Sequence, residues 1–202
     1  MEVLQRISIQ RRGKMEYDAA LRAMREFTAR RTESTPDEIW LVEHPPVYTL
    51  GQGAAEVAVT NGIPVVRADR GGEITYHGPG QVVLYALIDL ARRGIKVKRF
   101  VWLLEQAVID LLGARAGRRP GAPGVYADGA KVAALGIRVS RGRAYHGLAL
   151  NVDMDLSPYS AIDPCGYPGL AVTDMRRLGF SESIPSVEDS LARALIRVLE
   201  DA

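Results

Sequence analysis

The sequence predicts an α/β or α+β fold, formed as one domain over residues 1–202. Strand-like and helix-like segments alternate along the chain with no repeat, low-complexity tract or long linker, which is the pattern of a sheet with helices packed on it. Hydrophobic residues make up 47% and charged residues 25%, the balance of a soluble chain that buries one sizeable core. A length of 202 residues fits one such core.

The elements follow in order. Between about Lys14 and Arg31, Tyr17, Leu21, Met24 and Phe27 recur at three- and four-residue spacing, so one face of a helix is apolar. A strand follows at EIWLVEH, residues 38–44. Over residues 97–112, Val101, Leu104, Val108 and Leu111 stay in helical step, and Gly113 ends that helix. Strands are expected at GVYA (124–127), KVAALGIRVS (131–140) and RAYHGLALNVD (143–153); the last two are joined by a hairpin at SRGR with Gly142 in the turn. Ser186 with Asp189 reads as a capping box opening a last helix through Leu191, Leu195 and Val198.

The small residues Ala133, Ala134, Gly136, Gly147 and Ala149 interrupt both strands of the hairpin. Either sheet and helix pack closely there, or one face stays shallow so that a ligand can lie along it. The stretch DRGGEITYHGPGQVVLYALIDL, residues 69–90, favours the ligand: Gly71-Gly72 and Gly78-Pro79-Gly80 flank EITYH with bare backbone that can approach a bound group. No Gly-Lys-Ser/Thr follows and no Gly-x-Gly-x-x-Gly spacing occurs, so nucleotide binding is unsupported. No two histidines have metal-ligand spacing, and no Gly-x-Ser-x-Gly elbow is present. His44, His77 and His146 each stand beside Pro or Gly, which suggests loop positions.

Net charge is only +2, yet basic residues cluster at Arg92, Arg93, Lys96, Lys98 and Arg99, at Arg115, Arg118 and Arg119, and at Arg138, Arg141 and Arg143. These are solvated surface or a docking face for an acidic partner. No nucleic-acid-binding motif and no run long enough to span a membrane is found, so neither partner is expected, and a cytosolic location is. A single cysteine, Cys165, excludes an internal disulfide and suits a reducing compartment. It lies in SAIDPCGYPGLAVTD, too broken by Pro and Gly for a core element, so the sulfur is expected at an exposed loop and is a candidate nucleophile. A free thiol with a pKa of about 8.5 needs a nearby base or cation. Lys131, His77 and His146 are the candidates, and the spacing does not choose among them.

Four blocks then bring a family into view: EHPPVYTLG (43–51), RGGEITYHGPGQ (70–81), KVAALGIRVSRGRAYHGLALNV (131–152) and PCGYPGLAVTDM (164–175). In this order they resemble the lipoyl(octanoyl) transferases. The resemblance implies a mixed sheet flanked by helices, like the catalytic domain of biotin and lipoate protein ligases. It implies an acyltransferase of lipoate biosynthesis that takes octanoyl (or lipoyl) from acyl carrier protein as a cysteine thioester. The acceptor is a lysine of the lipoyl domains of 2-oxoacid dehydrogenases or of the glycine cleavage H protein, and no cofactor is needed. Carried over by motif, Cys165 is the acyl-accepting nucleophile and Lys131 the residue that lowers its pKa and passes the proton. The acyl-binding wall is Arg70, Gly71, Gly72, Glu73, Ile74, Thr75, Tyr76 and His77, with Ala134, Leu135 and Gly136 and then Gly147, Leu148 and Ala149; Tyr76 and His77 close it, and His146 is a supporting group. The competing reading is an ATP-dependent lipoate or biotin-type ligase, which generally lacks the loop cysteine. A non-catalytic binding module would leave Cys165 and Lys131 without a role.

Overall fold

The computed structural model describes residues 6–56, 59, 61–162 and 169–202. In chain order the elements are β1 (Ser8–Lys14), α1 (Tyr17–Arg30), β2 (Glu38–Glu43), β3 (Val47–Leu50), β4 (Val65–Arg67), β5 (Ile74–His77), β6 (Gln81–Asp89), α2 (Leu90–Arg93), α3 (Val97–Leu112), β7 (Ala116–Gly117), β8 (Val125–Ala127), β9 (Ala130–Ser140), β10 (Arg143–Asn151) and α4 (Ile184–Glu200). Seven strands form a mixed sheet in the order β1-β2-β6-β10-β9-β8-β7, and three form a smaller sheet, β4-β3-β5. β1 runs parallel to β2 and β4 to β3; the other pairings are antiparallel.

The large sheet is covered on both faces, which explains why β2 and β6 read as continuous apolar runs. Their side chains still alternate with period two. Ile39, Leu41, Val82, Leu84, Ala86 and Ile88 join the core beneath α3 and α4. Trp40, Val42, Val83, Tyr85 and Leu87 face Tyr17, Ala20, Leu21 and Met24 of α1. A third cluster packs Tyr48, Leu50, Ile74 and Tyr76 of the small sheet on Met154, Leu156, Tyr159 and Ile162.

At the β9–β10 hairpin both central residues have positive φ, Arg141 at 51° and Gly142 at 77°, the signature of a type I′ turn. The last helix starts earlier than the expected capping box. Its N-cap is Ser183, without a side-chain cap bond, and Pro185 stands in its first turn, so Ser186 is already helical; the fixed φ of proline favours that start. Arg92 and Arg93 are not a docking face. Both hold Asp37, which is fully buried, at 2.8 and 2.6 Å, and Arg31 holds it too. The three arginines thus tie the end of α1 and the short α2 to the start of β2. Among the described residues no helix is long and apolar enough to cross a membrane.

Candidate active site

A cleft opens between the α1 face of the large sheet and the segment 70–77. The large sheet supplies its floor in two rows set by strand register. Val83, Ala149 and Ala134 form one row, and Tyr85, Gly147 and Gly136 the next. Leu135 and Leu148 also line it. The facing wall carries Arg70, Gly72, Glu73, Ile74, Thr75 and His77, and Tyr17 of α1 closes one side. The cavity itself is narrow, about 50 Å³, and opens to solvent.

Glycine is required here by close approach. A Cβ on Gly136 would lie 2.7 Å from the Gly71 carbonyl oxygen, and one on Gly147 would lie 2.1 Å from that of Leu84. The Gly71 N–H donates to the Ile137 carbonyl at 2.9 Å, which fixes the wall segment directly on β9. Gly71 is therefore a clamp rather than lining. Tyr76 does not close the slot either: alternation along β5 turns His77 into the cleft and Tyr76 toward Tyr48 and Tyr159.

All three histidines are buried rather than looped out. His77 donates from Nδ1 to Gln81 Oε1 at 2.8 Å, and burial, then the neighbouring His44, with Arg70 and His146, lowers its pKa to about 3. His44 donates from Nδ1 to the Met15 carbonyl and accepts the Tyr85 hydroxyl at Nε2, each at 2.6 Å; burial lowers its pKa despite the Met15 bond. His146 lies inside β10 with φ 61°, a conformation rarely taken by a residue with a side chain. Its Nε2–H donates to Asp69 at 2.7 Å, and burial still outweighs that carboxylate and lowers its pKa. Asp69 also accepts from Tyr145 at 2.7 Å and Arg25 at 2.8 Å. Burial pushes the Asp69 carboxyl up, but the bonds from His146, Tyr145 and Arg25 outweigh it and hold the group well below the usual carboxylate range. Arg70 is engaged by Thr49, at the carbonyl and at Oγ1, both 2.7 Å. Neutral histidines leave the cleft without an imidazolium at neutral pH.

Lys131 stands near the start of β9 and is 3% exposed. Ala134 lies three residues farther along the strand, about 10 Å away. Its Nζ donates to the Pro123 carbonyl at 3.1 Å and lies 5.2 Å from the Tyr126 ring centre. Gly124, at φ 137°, makes room, since a Cβ there would sit 3.0 Å from Lys131 Cε. The Lys131 backbone binds the chain beyond residue 168: its N–H donates to the Ala171 carbonyl at 2.8 Å, and its carbonyl accepts from Thr173 at 3.0 Å. Cys165 lies outside the described residues.

Sequence reasoning missed Tyr17, Val83 and Tyr85 as cleft residues and Asp69 as the group that holds His146. Tyr17 fits the apolar face of α1, and helical periodicity does not distinguish a core phenol from one lining a cavity. The one usable signal was Tyr85, a polar-tipped aromatic inside the otherwise apolar VVLYALI.

Residues 16–196 match the model of the lipoyl protein ligase A/B catalytic domain family. An octanoyltransferase of Aromatoleum aromaticum is 58% identical over 196 residues, covering 95% of this chain and 85% of that protein. One of Thiobacillus denitrificans is 58% identical over 193 residues, covering 93% and 88%. Among solved structures, a lipoate-protein ligase A bound with ATP superposes with a TM-score of 0.76 at 16% identity, covering 98% of this chain and 86% of the other. The biotin protein ligase of Aquifex aeolicus in complex with biotin and ATP does so at 0.59 and 10% identity, covering 96% and 70%. At such identities the structural likeness speaks for the fold.

Proposed function

The chain belongs to the lipoyl protein ligase A/B catalytic domain family and, within it, to the octanoyltransferases, which are acyltransferases. From that premise we propose that it moves octanoyl from acyl carrier protein, through a thioester on Cys165, to a lysine of a lipoyl domain. The acceptors in this reading are the lipoyl domains of 2-oxoacid dehydrogenases and the glycine cleavage H protein. A cytosolic location accords with the single cysteine.

The observation that carries the reading is the alanine- and glycine-floored cleft running along the strand that bears Lys131. An extended acyl chain fits such a floor, and at about 0.8 kcal/mol per buried methylene it brings several kcal/mol of binding energy. In the first step the Cys165 thiolate attacks the carrier's thioester carbonyl, and the carrier's sulfur leaves with a proton from the Lys131 ammonium, which becomes a neutral amine. In the second, the acceptor's lysine amine attacks the new thioester, Cys165 leaves as thiolate, and the amine's proton passes to Lys131. Two observations support Lys131, rather than a histidine, as the thiol's partner. The histidines are buried and held neutral. The chain seven residues beyond Cys165 bridges to Lys131 at Val172.

A thioester already carries an activated acyl group, so this route needs no nucleotide, whereas a ligase must first adenylate a free acid. The test is the mass of a lipoyl domain after incubation with octanoyl-carrier in EDTA without ATP, and separately with octanoate, ATP and magnesium. Octanoylation in the first mixture is expected. Modification only in the second would make the protein a ligase.

A further inference from the structure

One hydroxyl in the cleft wall has no hydrogen-bond acceptor among the described residues. Tyr17 is 3% exposed and lines the cleft, and the polar group beside its Oη is the Arg70 guanidinium, which donates and cannot accept, so the hydroxyl proton meets no acceptor among the described residues. The neighbouring phenols are engaged: Tyr85 donates to His44 and Tyr145 to Asp69. The Tyr17 ring is fixed by stacking on His77 at 5.9 Å, with the two planes 14° apart, and by an edge contact to His44 at 5.4 Å. A buried donor left unpaired in a rigid wall is costly, and it is tolerated where a ligand or a water reaches it.

Strand register locates this hydroxyl along the cleft. Val83, Ala149 and Ala134 form the row nearer Lys131, and Tyr85, Gly147 and Gly136 lie two residues, about 7 Å, farther away. Tyr17 belongs to the farther row, because it packs on the His44 that holds the Tyr85 hydroxyl. It lines the side of the cleft along the row farther from the reacting carbonyl.

We propose that the Tyr17 hydroxyl is a polar stop that sets the length of acyl chain the enzyme accepts, an inference that rests on the acyl-transfer reading above. A chain ending short of Oη leaves space for a water to bond it. A longer chain presses methylenes against it, expels the water and strands the donor, so discrimination against long chains comes from an unpaired polar group rather than from a steric wall.

The test is competition between equimolar octanoyl- and dodecanoyl-carrier, read as the ratio of the two products on a lipoyl domain by mass. That ratio does not depend on how much of the enzyme is folded. In Tyr17→Phe, which keeps the stacking ring, the octanoyl preference is expected to fall about tenfold, or about 1.4 kcal/mol. A ratio equal to that of the unsubstituted enzyme overturns the inference. A second arm uses the unsubstituted enzyme alone, with decanoyl-carrier against 9-hydroxynonanoyl-carrier, its isostere with a terminal hydroxyl. Preference for the hydroxyl-ended chain supports the polar stop, and preference for decanoyl contradicts it. If no chain is transferred by the unsubstituted enzyme, the acyl-transfer reading itself fails, which is a different result.

Discussion

Acidification should destabilise this protein well above the range in which its carboxylates titrate, because its histidines are buried neutral. His77 is the clearest case, with a pKa lowered from 6.5 to about 3 by burial and by His44, Arg70 and His146. A base whose folded pKa lies below its unfolded one binds its proton more tightly in the unfolded chain. Its contribution is therefore present above pH 6.5 and is lost as pH falls from there toward 3. At pH 5 the loss from His77 is about 2 kcal/mol, set by the distance from the unfolded value at 1.36 kcal/mol per unit. His44 and His146 are displaced the same way and add to it. Asp37 and Asp69, whose pKa values are also lowered, act in the same sense, but their contribution is lost only as pH falls below the ordinary carboxylate value of 3.8. Urea unfolding at pH 7.5 and pH 5.0, at matched ionic strength, measures the difference. The protein should lose at least about 2 kcal/mol between them, and His77→Gln should remove about that much of the pH dependence. Equal stability at the two pH values, or an unchanged slope in the variant, would refute the neutral-histidine argument.

Two further outcomes follow from the same geometry. Lys131→Ala should raise the apparent pKa for alkylation of Cys165 and slow acyl transfer by at least tenfold while the fold persists; iodoacetamide labelling against pH checks this, and superimposable profiles would remove Lys131 from the thiol's environment. Asp37→Ala should cost about 3–5 kcal/mol, because it leaves the fully buried Arg31 and the nearly buried Arg93 without their counter-charge; thermal and urea unfolding read it, and a loss under about 1 kcal/mol would show that those guanidinium groups find water instead.

Much of the fold is legible in the sequence because its signals are local. The helix over 97–112 ends at Gly113 as its periodicity and glycine require, and the SRGR turn has the two positive-φ residues that a tight hairpin needs. The small residues of β9 and β10 likewise announce the cleft floor. What local patterns could not give is which residues meet across the fold. Tyr17 reads as core until β6 and β10 bring Tyr85 and Gly147 beneath it. Tyr76 and His77 are neighbours in sequence but face opposite ways, and the choice of face follows from packing against Tyr159 rather than from either residue. His146 reads as a loop residue because of Gly147, yet it stays in β10 with a strained backbone, held by Asp69 from another segment. Arg92 and Arg93 look like surface charge until Asp37, more than fifty positions earlier, is placed between them.

The central claim is that Cys165 carries the acyl group between donor and acceptor. Its most direct test is the intact mass of the full chain after brief incubation with octanoyl-carrier, followed by peptide mapping and then addition of a lipoyl domain. The account predicts one octanoyl group on Cys165, discharged to the lipoyl domain at a rate that keeps pace with turnover and absent in Cys165→Ser. Full turnover by Cys165→Ser, or an adduct that the lipoyl domain cannot discharge, would contradict it.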